Sequence, residues 1–169
     1  YGSRVLITYG GGSIKKNGIY DKAVEILEEN DIEFWELGGI DPNPRIDSVR
    51  KGIDICRENN VDFILAIGGG STIDCSKAIA VGYYYEGDPW DLVIKKAPIT
   101  NALPIGTILT IAATGSEMNS GAVISNLDTK QKLGFGHSSM APKFSILDPT
   151  YTYTVPKKQT AAGVADIMS

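Results

Sequence analysis

Three apolar runs of strand length, Arg4–Tyr9, Glu33–Leu37 and Asp62–Ile67, alternate with segments of helical periodicity, and that order admits few folds. Strand–helix–strand repeats close by crossover connections that lay parallel strands side by side, whereas antiparallel neighbours need only short turns. In the first helical segment, from about Ile19 to Asn30, the apolar positions Ile19, Ala23, Ile26 and Leu27 share one face. Ile46, Val49, Ile53 and Cys56 form the stripe of a second helix, from about Ile46 to Asn59. The Asp62–Ile67 run is apolar almost throughout, as a central parallel strand requires, and a third helix follows from about Thr72 to Tyr84. Beyond a connection over Glu86–Asn101, Leu103–Leu109 is a further strand. Ala122–Ser125 and Leu133–Phe135 are predicted to pair as a hairpin around Asp128-Thr129-Lys130. Phe144–Leu147 is a last short strand, and Pro156 opens a final helix. The fold class read from this order is α/β with a parallel sheet.

With 169 residues, 43% of them hydrophobic and 21% charged, the chain has the profile of one soluble globular domain with a sizeable core. A net charge of -4 does not attract polyanions, so nucleic acid is not expected as a partner. No apolar run is long enough for a bilayer, and no basic start followed by an apolar stretch marks a leader, so no membrane contact and a cytoplasmic location are expected. Cys56 and Cys75 have no metal-ligand spacing and read as reduced thiols on helices. The chain begins at Tyr1 almost directly in a strand and ends at Ser169 inside a helical pattern, which reads as a piece cut from a longer protein.

The strongest local signal is Gly68-Gly69-Gly70-Ser71 between a strand and a helix. Without Cβ atoms the backbone can approach a bulky anion, and the helix that follows offers unpaired N–H groups and the positive end of its dipole. A pyrophosphate fits such a turn. The alternative is a tight turn with Ser71 as helix cap, Ser71 and Asp74 having the spacing of a capping box.

The first strand ends in Gly10-Gly11-Gly12-Ser13, and the G-x-G-x-x-G fingerprint is absent there. In NAD enzymes an acid near a strand end commonly binds the ribose 2′-hydroxyl, and it would repel a 2′-phosphate. This loop has no acid; it has the Ser13 hydroxyl, and Lys15 and Lys16 lie close by. The alternative is a surface turn with two solvated lysines. A third candidate segment, Thr110-Ile111-Ala112-Ala113-Thr114-Gly115-Ser116-Glu117, follows a strand and is dense in hydroxyls. Ligands bind at the carboxyl ends of strands in doubly wound sheets, which places Thr110 and Thr114 toward a cofactor; the alternative is that Thr114 or Ser116 caps a helix.

Gly68-Gly69-Gly70-Ser71 with Asp74 and Lys77, Ala113-Thr114-Gly115-Ser116-Glu117, Leu147-Asp148-Pro149 and Gly163-Val164-Ala165-Asp166, in this order, resemble the iron-containing (group III) alcohol dehydrogenases. Tyr9–Lys16 and Asp88-Pro89-Trp90 resemble the NADPH-dependent butanol dehydrogenase and aldehyde reductase branch of that family. The resemblance covers essentially the whole chain. It implies a Rossmann-like, dehydroquinate synthase-like nucleotide-binding domain over 1–155, and over 156–169 the start of a helical metal-binding domain whose remainder is missing.

The same resemblance implies roles. Gly69, Gly70 and Ser71 would bind the pyrophosphate of NADP(H), and Asp74 would face the nicotinamide end. Thr110 and Thr114 would line the cleft, Lys132 would reach the ribose, and Leu147 would pack near the adenosine. Gly10 stands where NAD-preferring members carry Asp, and with Gly12 and Ser13 it marks the NADP-preferring branch. Asp166 matches the first ligand of an Fe²⁺ or Zn²⁺ ion, and the chain's single histidine, His137, matches none and reads as a hairpin residue. The whole protein would be a homodimer acting on small alcohols or aldehydes, and this piece would be inactive because one Asp cannot hold such a metal. Two other readings stay open. Dehydroquinate synthase and glycerol-1-phosphate dehydrogenase share the architecture, although no basic cluster for a phosphorylated substrate is visible here. A non-catalytic nucleotide-binding module is the other.

Overall fold

The computed structural model describes residues 1–168. Its strands are β1 (Arg4–Tyr9), β2 (Glu33–Leu37), β3 (Phe63–Gly68), β4 (Ile105–Leu109), β5 (Gly121–Asn126), β6 (Gln131–Gly136) and β7 (Phe144–Ile146). Its helices are α1 (Ser13–Lys16), α2 (Ile19–Glu29), α3 (Ile46–Glu58), α4 (Gly70–Gly82), α5 (Trp90–Val93) and α6 (Lys157–Met168). Five strands form one parallel sheet in the order β2-β1-β3-β4-β7, and β5 and β6 form a separate antiparallel hairpin.

That order reverses direction once. From β1 the chain steps outward to β2, then returns past β1 to β3 and continues to β4. Each crossover of this kind is right-handed, so helices of opposite steps land on opposite faces. The strand alternation bears this out. Val5, Ile7, Phe63, Leu65 and Ile67 pack with Ile19, Ala23 and Leu27 of α2, while Leu6 and Ile64 pack with Val49 and Ile53 of α3 and Ile79 of α4. The direction reverses between β1 and β3, and in open α/β sheets ligands bind outside the carboxyl ends of the strands at such a point.

Local chemistry explains most element ends. α4 begins at Gly70 rather than Thr72, because Gly69, with extended φ −96°, occupies the cap position. Ser71 is therefore inside the helix and is no cap, and Asp74 makes no capping box with it. The strand expected from Leu103 begins only at Ile105; Pro104 still accepts from the Ile64 N–H but has none of its own to give. Ile26, expected on the buried face of α2, is 48% exposed; Ile19, Ala23 and Leu27 are buried there, with Tyr20 and Val24 partly buried beside them. The short helices α1 and α5 lie in stretches expected to be loop. The hairpin turn is held by Asn126, whose Oδ1 accepts from the Asp128 and Thr129 amides.

The hairpin is part of the core rather than an appendage. Ala122, Ile124 and Phe135 are buried in the same cluster as α3 and α4. Cys56 and Cys75 are buried free thiols, each pushed up to about 12 by burial. No described helix is long and apolar enough to cross a membrane.

One buried polar chain ties the first strand to α4. Thr8 Oγ1 lies 2.7 Å from Ser76 Oγ, which donates to Thr72 O at 2.8 Å, so Thr8 is the donor of the first bond. Thr8→Val keeps the volume and removes that donor. Urea unfolding is expected to show a loss of about 1 kcal/mol with an unchanged m value.

Candidate nucleotide-binding site

Three loops meet at the crevice because their strands are in register. Thr8 and Tyr9 of β1 lie opposite Ala66 and Ile67 of β3, and Gly68 lies opposite Leu109 of β4. Gly10–Ser13, Gly69–Ser71 and Thr110–Thr114 therefore leave the sheet side by side, and the Thr110 amide donates to Gly68 O at 3.1 Å. The sheet brings Gly10, Gly12, Ser13, Gly69, Gly70, Ser71, Thr110 and Thr114 to one edge.

The amino end of α4 carries no side-chain cap. The first-turn amides of a helix have no carbonyl partner within it, and the dipole makes that end an anion seat. The glycines here have a second cause, the close approach of the loop after β4. A Cβ on Gly69 would collide with the Ile111 side chain, and a Cβ on Gly70 with the Thr114 hydroxyl. These two glycines let the loop after β4 close over the start of α4.

The loop after β1 differs. A Cβ on Gly10 would sit 3.5 Å from Ile40 O and 3.9 Å from Thr72 Oγ1, and one on Gly11 or Gly12 would meet nothing within 4 Å. The chain turns there at Gly12, whose φ of 87° suits glycine. This is open space beside the anion seat. Lys15, close by in sequence, points elsewhere. Its ammonium is 2.9 Å from Glu36 and lies over the Tyr9 and Tyr20 rings.

Ser71 accepts the Asn43 amide at 3.2 Å, and Asn43 Oδ1 accepts from Lys132 Nζ at 2.5 Å. Lys132, remote in sequence on β6, is thereby drawn to the glycine turn. Leu147 is 53% exposed, just beyond β7.

The wall of the site depends on Lys77, a residue the sequence motif contains but to which no role was given. It is fully buried, and its Nζ has five oxygens within 3.0 Å: Ser116 O and Oγ, Asn119 O and Oδ1, and Gly121 O. Ser116 Oγ in turn donates to Asp74 at 2.5 Å, and the other Asp74 oxygen accepts the Val123 amide at 2.9 Å. α4 thus grips both the loop after β4 and the hairpin. Burial pushes Lys77 down to about 8 against the pull of Asp74 and Glu117, and burial raises Asp74 against its hydrogen bonds. The available signal was a single cation embedded among Ile73, Cys75 and Ala78–Val81 on a helix rich in apolar residues.

Asp74, Thr114, Ser116 and Asn119 line a cleft of about 510 Å³ closed on its far side by Val123 and Gly134–Gly136. A second cleft, of about 520 Å³, lies between Ala112–Gly115 and Asp166 of α6. α6 comes this close because Gly163 is buried on the loop; a Cβ there would stand 2.7 Å from Ala112 O. Asp166 and the hydroxyl loop therefore share one cleft. Among the described residues no group of three His, Cys, Asp or Glu side chains could hold a metal ion, so Asp166 alone does not make a metal centre. His137, exposed just beyond β6, caps the turn at Ser138–Met140, its Nδ1 accepting the Ser139 amide.

A glycine turn feeding an uncapped helix at the strand reversal defines a Rossmann-like nucleotide-binding domain. Residues 1–149 match the family described as iron-containing alcohol dehydrogenase, and the chain belongs to that family. It is 70% identical over 169 residues to NADH-dependent butanol dehydrogenase A of Clostridium acetobutylicum, covering 100% of this chain and 43% of that protein. It is 46% identical over 167 residues to the NADPH-dependent aldehyde reductase YqhD of Escherichia coli, covering 97% of this chain and 43% of the relative. The crystal structure of NADH-dependent butanol dehydrogenase A from Thermotoga maritima superposes with a TM-score of 0.95 at 47% identity, covering 98% of this chain and 42% of that one. The chain thus spans less than half the length of these relatives.

Two substitutions probe the wall. Lys77→Met leaves the five oxygens without their shared donor, and unfolding is expected to show a loss of about 3 kcal/mol. Gly163→Ala pushes α6 off Ala112. Limited proteolysis is expected to cut near Pro156 sooner than in the parent, while the β1–β4 core stays protected.

Proposed function

We propose that the protein carrying this chain is an NADP(H)-linked oxidoreductase that interconverts primary alcohols and aldehydes, and that this chain forms its coenzyme site. The observation that carries the reading is the uncapped start of α4 at the β1–β3 reversal, where main-chain amides meet the threonine loop. In this reading Gly69, Gly70 and Ser71 hold the pyrophosphate. Thr110 and Thr114 border the cleft, Asp74 stands toward the nicotinamide, Lys132 approaches the ribose, and Leu147 the adenosine. The nicotinamide supplies the hydride chemistry, and the chain's residues bind and orient it.

The choice of NADP(H) is supported by the acid-free, open loop at Gly10–Ser13, which leaves room for a 2′-phosphate beside the Ser13 hydroxyl. The relatives carry names of both kinds: NADH-dependent at 70% identity and NADPH-dependent at 46%. The family name and the position of Asp166 beside the hydroxyl loop support a metal whose other ligands lie outside this chain. Residues from about 156 onward are proposed to begin that second domain; almost all of α6 except Gly163 is exposed. The buried free thiols support a reducing, cytoplasmic setting.

The test uses the full-length protein, a short aldehyde and each reduced coenzyme. Turnover with NADPH exceeding that with NADH is expected; equal or inverted efficiencies overturn the coenzyme choice, and idleness with both overturns the reaction. Gly10→Asp should fold, since a Cβ there makes only ordinary contacts and φ is not positive. Its carboxylate is expected to lower kcat/KM for NADPH by at least about tenfold relative to NADH through like-charge repulsion. Asp166→Asn is expected to lower the metal content of the purified protein while coenzyme affinity is retained.

A further inference from the structure

Beside the coenzyme loop lies a cluster that the proposed function does not use. Glu36, next to the end of β2, accepts from Tyr9 Oη at 2.6 Å, from Lys15 Nζ at 2.9 Å, and from Tyr20 Oη. Lys15 Nζ is 4.2 Å from the centroid of the Tyr20 ring and 5.0 Å from that of Tyr9. The cation is thus held by one carboxylate and two aromatic faces, although it sits only two residues beyond Ser13 on α1. Loops after β1 and β2 are joined directly, Gly39 N donating to Gly10 O and Ile40 N to Tyr9 O, which places the cluster beside the open loop.

We propose that Glu36 sets the coenzyme preference by latching Lys15 away from the Gly10–Ser13 loop. This rests on that loop being where the two coenzymes differ. The two reduced coenzymes differ only by the 2′-phosphate, so a freed ammonium on a flexible four-carbon stem favours one of them. The latched pair is neutral as a unit. It neither attracts the 2′-phosphate as a free lysine does nor repels it as a bare carboxylate does. Both partners are partly exposed, the side chains at 43% and 32%, so the latch can open without unpacking the core.

The test is steady-state aldehyde reduction by the full-length protein with each coenzyme, read as the NADPH/NADH ratio of kcat/KM. Glu36→Gln keeps a hydrogen-bonding partner for the tyrosines and frees Lys15; the ratio is expected to rise about tenfold, the scale of a hydrogen bond to a charged group. Adding Lys15→Ala to Glu36→Gln restores a neutral pair of positions, and the ratio is expected to return to within about twofold of the parent. A single variant with an unchanged ratio overturns the latch. So does a double variant that keeps the rise, since Glu36 would then act by direct repulsion. Should Glu36→Gln not fold, Glu36→Asp draws the carboxylate back by one methylene and is expected to raise the ratio less, in the same direction; no rise overturns the latch. A parent enzyme idle with both coenzymes overturns the oxidoreductase reading and the latch together, whereas a working parent with an unresponsive ratio overturns the latch alone.

Discussion

The right-handedness of crossovers in a twisted parallel sheet is the constraint on which the site depends. Because β2 and β3 lie on opposite sides of β1, α2 is driven to one face and α3 and α4 to the other. The divergence leaves the ends of β1 and β3 uncovered. No residue in the glycine loops creates the crevice; they occupy one that the strand order has already opened. Glycine then decides how near the neighbouring loop can come, with Ile111 and Thr114 filling the space that a Cβ on Gly69 or Gly70 would need.

Lys77 holds the wall of the neighbouring cleft, the one lined by Asp74, Thr114, Ser116 and Asn119. Three N–H donors shared among five oxygens hold the stretch from Ser116 to Gly121 against α4, and Asp74 reaches the hairpin through Val123. A buried ammonium is costly unless every side of it is satisfied, and here main-chain carbonyls do most of the work. The outcome is a polar seam along a helix whose side chains are buried almost throughout. Satisfied in this way, the seam ties the hydroxyl loop to one position relative to the amino end of α4.

Much of this was legible beforehand. The β–α alternation appears in period-2 and period-3.6 apolar spacing, and the parallel sheet, the hairpin and the glycine turn follow from it. Where reading and structure part, the causes are local competition or distant contact. Ser71 yields the cap position to Gly69 because the backbone is already extended there. Ile26 sits at the margin of the α2 stripe and stays half exposed. The roles of Lys77, Glu36 and Asn43 were not legible. Their partners lie between 16 and 89 residues away, and no spacing rule records such pairs.

By itself the sequence determined the main strands and the longer helices, their order, the family and the turn where an anion can sit, because periodicity and glycine placement act within a few residues. Only the tertiary structure decided which face each helix covers, that Lys15 is turned toward Glu36 rather than the open loop, and that Asp166 shares a cleft with Thr114. Those outcomes depend on strand register and crossover hand, which bring distant residues within hydrogen-bond reach only after the sheet has formed.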